Sequence, residues 1–134
     1  MAVGLSAVNT ANKLLNTIGS TGTTFTAGSL YVALHTDATA DAGPGSLGTA
    51  NPSAVTTRYK CTFGAAGSGS MALASMSGTW SMTATENIKY ITLWDASTAG
   101  TFLWSVQLTT PKSVVSGDTL SLTSLTLAFT PIAA

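Results

Sequence analysis

Hydrophobic and polar positions alternate most clearly in the second half of the chain, where residues 88–94 and 101–108 each predict a β-strand. The six residues between them, 95–100, carry the Asp, Ser and Gly side chains typical of a turn, so the two segments predict a hairpin. Apolar side chains occur on both faces of these strands. We therefore expect both faces to be covered, either by a second sheet of the same chain or by neighbouring chains.

Apolar side chains near the start of the chain recur at three- and four-residue spacing, which predicts a short amphipathic helix over residues 6–18. Ser6 can cap this helix and Gly19 can end it. Because a helix this short is marginal alone, we expect its apolar stripe to dock on the strands or on a neighbouring chain. The stripe consists of Ala7, Ala11, Leu14, Leu15 and Ile18.

Strands and loops alternate between the helix and the hairpin. Alternating apolar residues predict strands at 30–35 and 58–63, and shorter strands at 71–76 and 79–83. Residues 36–56 are rich in Gly, Pro and Asp and contain hardly any large apolar side chain. This composition predicts a long exposed loop, of the kind that is usually functional or mobile.

The last predicted strand, over residues 119–129, changes phase part-way along. Leu120 and Leu122 share one parity, whereas Leu125, Leu127 and Phe129 share the other. Successive side chains of a strand point to opposite faces, so this switch predicts a β-bulge or a crossing between sheets.

Together with a short strand at 112–115, the chain contains about eight short strands with turn signals at roughly ten-residue spacing. The predicted fold is mostly β, an antiparallel β-sandwich of jelly-roll type with one short N-terminal helix. Its 134 residues suit a single domain, 1–134.

Charge is scarce along the whole chain. Five basic and five acidic residues balance to zero, and charged residues make up 7% against about 25% in an ordinary globular domain. Thr and Ser fill 40 of the 134 positions, which makes a surface that packs against protein at little desolvation cost. Without a basic stripe, a polybasic patch or a spanning apolar run, neither nucleic acid nor membrane is an expected partner. Residues 1–18 lack the pattern of a signal peptide.

Residues with reactive side chains are few and scattered. His35 is the only histidine, and a catalytic or metal role would need partners, for which Asp37 and Asp41 are the only nearby carboxylates. Asp37 and Asp41 could seat Ca²⁺, but their spacing matches no EF-hand loop and solvation of a turn explains them better. The single cysteine, Cys61, alternates with apolar residues, which indicates a core position. We expect no catalytic, cofactor-binding or metal-binding residue, and hence no enzyme.

Two other features have an ordinary structural interpretation. The Gly/Ser tract at 64–70 lacks the Gly-Lys-Ser/Thr and the following helix of a phosphate loop. A set of aromatic residues could stack sugars, but their alternation within strands favours core packing. This set consists of Trp80, Tyr90, Trp94, Phe102 and Trp104.

Several short motifs follow one another in an order that spans nearly the whole chain. They are Ala11-Asn12-Lys13-Leu14-Leu15, Leu30-Tyr31-Val32-Ala33-Leu34-His35-Thr36, Phe63-Gly64-Ala65-Ala66, Ile91-Thr92-Leu93-Trp94-Asp95-Ala96 and Ser116-Gly117-Asp118-Thr119-Leu120. This order resembles a family of small tailed-bacteriophage virion proteins that are labelled tail-fibre-like. The resemblance implies a non-enzymatic structural role.

The predicted function is therefore that of a virion structural protein, assembled in the host cytoplasm, that acts through oligomeric packing. Its expected partners are other tail or capsid proteins and further copies of itself, for example in a trimer. A tail or fibre component is the first interpretation. A capsid decoration (cement) protein that stabilises the head shell is the alternative, and a carbohydrate-binding module is a second one.

Overall fold

The computed structural model of the protein describes residues 3–26, 28–37 and 43–129. Within these residues it contains nine β-strands, one π-helical turn and one α-helix. In chain order they are β1 (Gly4–Leu5), the π-turn (Ala7–Ala11), α1 (Asn12–Gly19), β2 (Leu30–Thr36), β3 (Tyr59–Phe63), β4 (Ser70–Met76), β5 (Trp80–Ser81), β6 (Glu86–Trp94), β7 (Phe102–Val114), β8 (Thr119–Leu120) and β9 (Thr126–Ala128).

The strands form one large and one small antiparallel sheet. Seven of them pair in the order β1-β7-β6-β2-β3-β4-β9, and β5 pairs with β8. The large sheet curls, since Trp104 of β7 and Phe129 just after β9 bring their ring centroids to 6.1 Å although four strands separate β7 from β9. The mostly-β antiparallel class with one short helix is confirmed, with two layers of unequal size.

The main core lies inside the curl of the large sheet. Both Trp80 of β5 and Leu120 of β8 pack on this core, so the small sheet covers it. The indole N–H of Trp80 donates to the Thr57 carbonyl at 2.8 Å, which satisfies its one buried polar atom. The buried residues of this core are Val32, Leu34, Cys61, Trp80, Met82, Ile88, Ile91, Leu93, Val114, Leu125 and Leu127.

The predicted central hairpin is formed by β6 and β7, but its second strand is longer than expected. β7 runs unbroken through the residues predicted as two strands, 101–108 and 112–115. Lys89 of β6 faces a stretch of four β7 residues, 108–111, because the register shifts there. Pro111 lies in this bulge, where a residue without a backbone N–H removes no regular ladder bond. Because Pro111 lies in a bulge and not in a turn, β7 continues through it, and one strand is found where two were predicted.

The phase change in the last predicted strand is a crossing between sheets. This confirms one of the two structures that the change of parity predicted, the other being a β-bulge. Thr119 and Leu120 pair with β5 in the small sheet, whereas Thr126–Ala128 pair with β4 in the large one. Residues 121–125 connect the two ladders without regular pairing. Leu120 in the small sheet and Leu127 in the large sheet therefore pack on the same core from two different sheets.

The N-terminal helix is present with shifted bounds. Its first turn is π-helical, and the Ser6 hydroxyl accepts from the Asn9 N–H at 3.4 Å, so the predicted cap is confirmed. Gly19 is the last helical residue, and the left-handed residue that follows is Ser20, with φ of 53°. Within the described residues, no helix has the length and apolar character needed to span a bilayer.

Two predicted strand bounds also change. The strand predicted at 79–83 is reduced to Trp80–Ser81, and the strand predicted from residue 58 begins at Tyr59. Trp80 and Met82 are nevertheless both buried, so the predicted shared side of this segment is correct.

Candidate functional site

The second face of the central strands is covered by the chain's own loop. Tyr90, Thr92 and Trp94 alternate along β6 with residues of the main core and point away from it, yet all three are buried. Residues 43–53 lie over this face, where the Ala50 and Asn51 carbonyls accept hydrogen bonds from β2. This face is thus covered within one chain, but by a loop and not by the second sheet or neighbouring chain that was expected.

The prediction of a long exposed loop over 36–56 holds only in part, since Leu47 and Thr49 are exposed whereas other residues of the loop lie against the sheet. Thr36 belongs to β2, and Pro44, Gly48 and Ser53 are buried. Residues 38–42 lie outside the described part of the chain. The loop is held by backbone hydrogen bonds and by glycine contacts, which leave no hydrophobic periodicity in the sequence.

Backbone contacts fasten the loop to the edge of β2. The Thr36 N–H donates to the Asn51 carbonyl at 2.8 Å, and the Ser53 N–H donates to the Leu34 carbonyl at 3.0 Å. The Glu86 carboxylate at the start of β6 accepts from the Ser53 hydroxyl and from the Ala54 N–H. The end of the loop is thereby tied to both β2 and β6.

His35 forms the polar centre under the loop. Its Nδ1 lies 2.8 Å from the Ala50 carbonyl oxygen, and its Nε2 lies 2.8 Å from Thr92 Oγ1. The indole N–H of Trp94 also donates to Thr92 Oγ1 at 2.8 Å. A carbonyl only accepts, so Nδ1 carries the proton and Nε2 accepts from the Thr92 hydroxyl. The histidine is therefore held as one neutral tautomer.

The surroundings of His35 oppose its protonation. Burial lowers the pKa of His35 below its usual 6.5, and the positive charge of Arg58 lowers it further. Backbone hydrogen bonds with Ala50 and Asn51 act in the opposite direction. A histidine beside a hydroxyl has the composition of a base–nucleophile pair, but His35 and Thr92 are only 2% and 0% exposed. This arrangement holds the loop and gives a substrate no access.

Of the two loop carboxylates considered as a cation site, the structure describes only Asp37. Asp37 forms an ion pair with Lys89, with Nζ and Oδ2 2.8 Å apart. Asp41 lies outside the described residues. Among the residues that the structure describes, no group of three or more His, Cys, Asp or Glu side chains is placed to hold a metal ion.

Arg58 clamps the turn of the central hairpin. Its guanidinium carbon lies 3.7 Å from the centroid of the Trp94 ring, and Nη1 donates to the carbonyls of Ala96 and Ala99 at 3.2 and 2.5 Å. The rings of Trp94 and Phe102 are 5.7 Å apart, and the Phe102 ring packs on the backbone of Gly48. Stacked cationic and aromatic groups are typical of ligand sites, but here the Trp94 ring is only 6% exposed, so protein atoms cover it.

The aromatic set does not form a platform for sugars. Trp80, Tyr90, Trp94 and Phe102 are all buried, in the core or under the loop. Trp104 is half-buried and lies beside Phe129. Core packing was the preferred interpretation, and the burial of the first four confirms it.

Cys61 and the Gly/Ser tract also have structural roles. Cys61 is buried in the main core, and burial raises the pKa of its thiol to about 11. Residues 64–70 form the turn between β3 and β4, in which Ser68 and Gly69 have φ of 49° and 77°. The Ser70 N–H donates to the Gly67 carbonyl at 3.0 Å, as in a tight two-residue hairpin turn.

An exposed apolar surface lies around the N-terminal helical segment. Seven large hydrophobic side chains are exposed in the described residues, and five of them lie in this region. We call these five the N-terminal patch: Val3 (42% exposed), Val8 (70%), Leu15 (66%), Ile18 (82%) and Leu47 (73%). Val3, Val8 and Leu47 share one depression of about 780 Å³, which Phe102 also lines.

Polar contacts, not the apolar stripe, attach the helical segment to the sheet. The Thr10 hydroxyl donates to the Leu103 carbonyl at 2.8 Å, and the Asn9 side-chain amide donates to the Phe102 carbonyl at 3.0 Å. No residue of α1 is buried. Docking of the stripe on the chain's own strands is therefore not observed, and docking on a neighbouring chain stays a prediction. Val8, which is 70% exposed, lies outside the predicted stripe.

Comparison with protein families gives a match over nearly the whole chain. A family model described as "Podophage GP4 fiber I protein gp80" matches residues 4–130, which include every helix and strand described above. The chain belongs to this family. No curated protein matches it. Membership of this fibre family confirms the resemblance to tail-fibre-like phage virion proteins and indicates a structural role in the virion.

Proposed function

We propose that this chain is a non-enzymatic structural component of a phage tail or tail fibre, and that it acts through packing between copies and against other virion proteins. The observation that carries the proposal is the match of the fibre family to residues 4–130. We further propose that the chain acts as one domain, residues 1–134, and is assembled into the particle in the host cytoplasm.

The distribution of reactive groups supports a role without catalysis. The single histidine is sealed under the loop, and the thiol of Cys61 is buried with a raised pKa. General acid–base or nucleophilic catalysis needs such groups within reach of a substrate. The N-terminal patch, in contrast, offers the exposed apolar surface that protein contacts use.

The decisive experiment locates the chain in the phage particle. An antibody raised against the purified chain is bound to intact virions, and its position is determined by electron microscopy with gold labelling. We expect label on the tail or its fibres. Label distributed over the head would identify a decoration protein instead, and absence of the chain from purified, detergent-washed particles would refute a virion role.

A truncation tests whether the N-terminal segment contributes to assembly. Deletion of residues 1–19 removes β1 and the whole helical segment, and we expect it to reduce incorporation into particles. A particle that incorporates the truncated and full-length chains equally would exclude a contribution of this segment.

A further inference from the structure

One edge of the large sheet is long and uncovered. On the side away from β6, β7 pairs only with β1, at Trp104 and Ser105. Among the residues that the structure describes, no strand pairs with 106–114 on that side, and we call this stretch the free edge of β7. It measures about 30 Å at roughly 3.3 Å per residue. Residues 107 and 109–113 are exposed.

The opposite end of the same sheet does not close over the free edge. The curl brings the segment 121–126 towards β7, but no ladder joins the two, and both line a groove of about 490 Å³. Residues 121–125 have no regular pairing. The backbone of the free edge is therefore open to a strand of another chain.

The sequence that leads into the free edge has the composition of an aggregation-prone strand. Residues 102–110 contain no charge and no proline, and aromatic and β-branched side chains are frequent among them. Uncharged segments of this kind pair with copies of themselves when an edge exposes them. The chain has no net charge, so general repulsion between copies does not oppose such pairing.

Lys112 places a charge on the core-facing side of this edge. It pairs with Ile88, which is 0% exposed, and Val114, two residues further along, is buried in the same core. Residues that pair directly across two strands share a face, so the Lys112 side chain starts on the apolar face of the sheet. Lys112 is nevertheless exposed, because it lies at the groove.

A strand added to the free edge would cover this charge. No acidic side chain is among the described residues that line the groove, so the ammonium group of Lys112 would lose water without gaining a counter-charge there. Burial of an unpaired charge is costly. An inward-pointing charge on an edge strand is one of the features by which proteins prevent unwanted strand pairing.

Pro111 and the bulge give the same edge two more features of this kind. Pro111 has no backbone N–H and removes one donor from the segment. The bulge at 108–111 disturbs the regular spacing of the backbone groups and increases the local twist. Proline, bulges and inward-pointing charges are each typical of edges that must stay unpaired, and here they fall within five residues.

We propose that Lys112, together with Pro111 and the bulge, prevents the free edge of β7 from pairing with a strand of another chain. Contacts between copies then use side-chain surfaces and do not continue the sheet from one copy to the next. This inference goes beyond the proposed function and does not depend on where the chain lies in the particle.

Replacement of Lys112 in the full chain tests the proposal. Lys112→Val removes the charge and keeps a residue that favours strands. Lys60→Val is the matched control, because Lys60 is also exposed but lies in β3, which has a partner strand on each side. The variants and wild type are incubated at about 50 μM near neutral pH, and thioflavin T fluorescence and sedimentation follow β-sheet aggregation. We expect Lys112→Val to aggregate about tenfold faster than wild type and Lys60→Val.

Two further variants separate the effect of the charge from loss of the native fold. Lys112→Glu keeps a charge at the same place and should remain as soluble as wild type. Thr110→Lys, added to Lys112→Val, returns a positive charge to an exposed position of the same edge and should restore solubility. Since Lys112 is exposed, the urea midpoint of freshly prepared Lys112→Val should lie close to that of wild type.

Three results would overturn the proposal. The first is equal aggregation of Lys112→Val and Lys60→Val, and the second is rapid aggregation of Lys112→Glu. The third is aggregation that begins only after Lys112→Val has lost its native tryptophan fluorescence, because the charge is proposed to act on the folded edge. None of these results changes the location of the chain in the particle, which the labelling of virions determines separately.

Discussion

Replacement of His35 tests how the loop is held on the sheet. His35→Ala removes the donor to the Ala50 carbonyl and the acceptor of the Thr92 hydroxyl in one step. Thr92 is 0% exposed, and although its oxygen still accepts from the Trp94 indole N–H, its O–H proton is left without an acceptor, which costs about 1–3 kcal/mol. Ala50 is exposed and its carbonyl can accept from water instead. With the small cavity left by the imidazole, we expect a loss of about 2–4 kcal/mol in the free energy of unfolding.

His35 also makes stability depend on pH in a window where no other side chain of this sequence ordinarily titrates. Its folded-state pKa is lowered, so between that pKa and 6.5 the unfolded chain binds more protons than the folded one. Stability therefore rises with pH across this window and is lost as the pH falls. Titration of one histidine accounts for at most about 1 kcal/mol between pH 7.0 and 5.5.

The assay is urea unfolding followed by tryptophan fluorescence at pH 7.0 and 5.5, for wild type and two variants. His35→Gln is the matched control, because its side-chain amide can donate to Ala50 and accept from Thr92 but does not titrate. We expect His35→Gln to lose about 1 kcal/mol and to show a flatter pH dependence than wild type. Equal pH dependence in wild type and His35→Gln, or a cost below about 1 kcal/mol for His35→Ala, would refute this account of the loop.

Three further predictions concern packing and are checked by unfolding or labelling. Gly48 has φ of +69°, and an added Cβ would collide with the Phe102 ring. Gly48→Ala should therefore lower the free energy of unfolding by about 2–4 kcal/mol, whereas an unchanged value would show that the loop can move away from the ring. Trp80→Ala should lower the free energy of unfolding by about 3–5 kcal/mol or prevent folding. Trp104→Ala should lower it less, because Trp104 is half-buried, and a larger loss for Trp104→Ala than for Trp80→Ala would contradict the placement of the core. Cys61, with its pKa raised to about 11, should react with a thiol reagent at pH 8 only after unfolding, and rapid labelling of the native protein would show that it is accessible.

The local pattern of the sequence determined which side chains share a face. Alternation over 30–35 placed Val32 and Leu34 in the core, and the change of parity after Leu122 marked the crossing from the small sheet to the large one. Both predictions follow from the two-residue period of a strand, because consecutive side chains point to opposite faces and the pattern can be seen in the sequence. The resemblance along the chain also predicted the fibre-like family correctly.

Only the tertiary structure decided what lies against each face. The loop at 43–53 covers the second face of β6 through carbonyl groups and Gly48, and main-chain groups leave no hydrophobic pattern in a sequence. The same holds for the bulge that keeps Pro111 inside β7, because register depends on the partner strand. The helical stripe shows the opposite case. Its spacing is plain in the sequence, but whether Leu15 and Ile18 meet the sheet or remain open depends on where polar contacts fix the first turn of the helix.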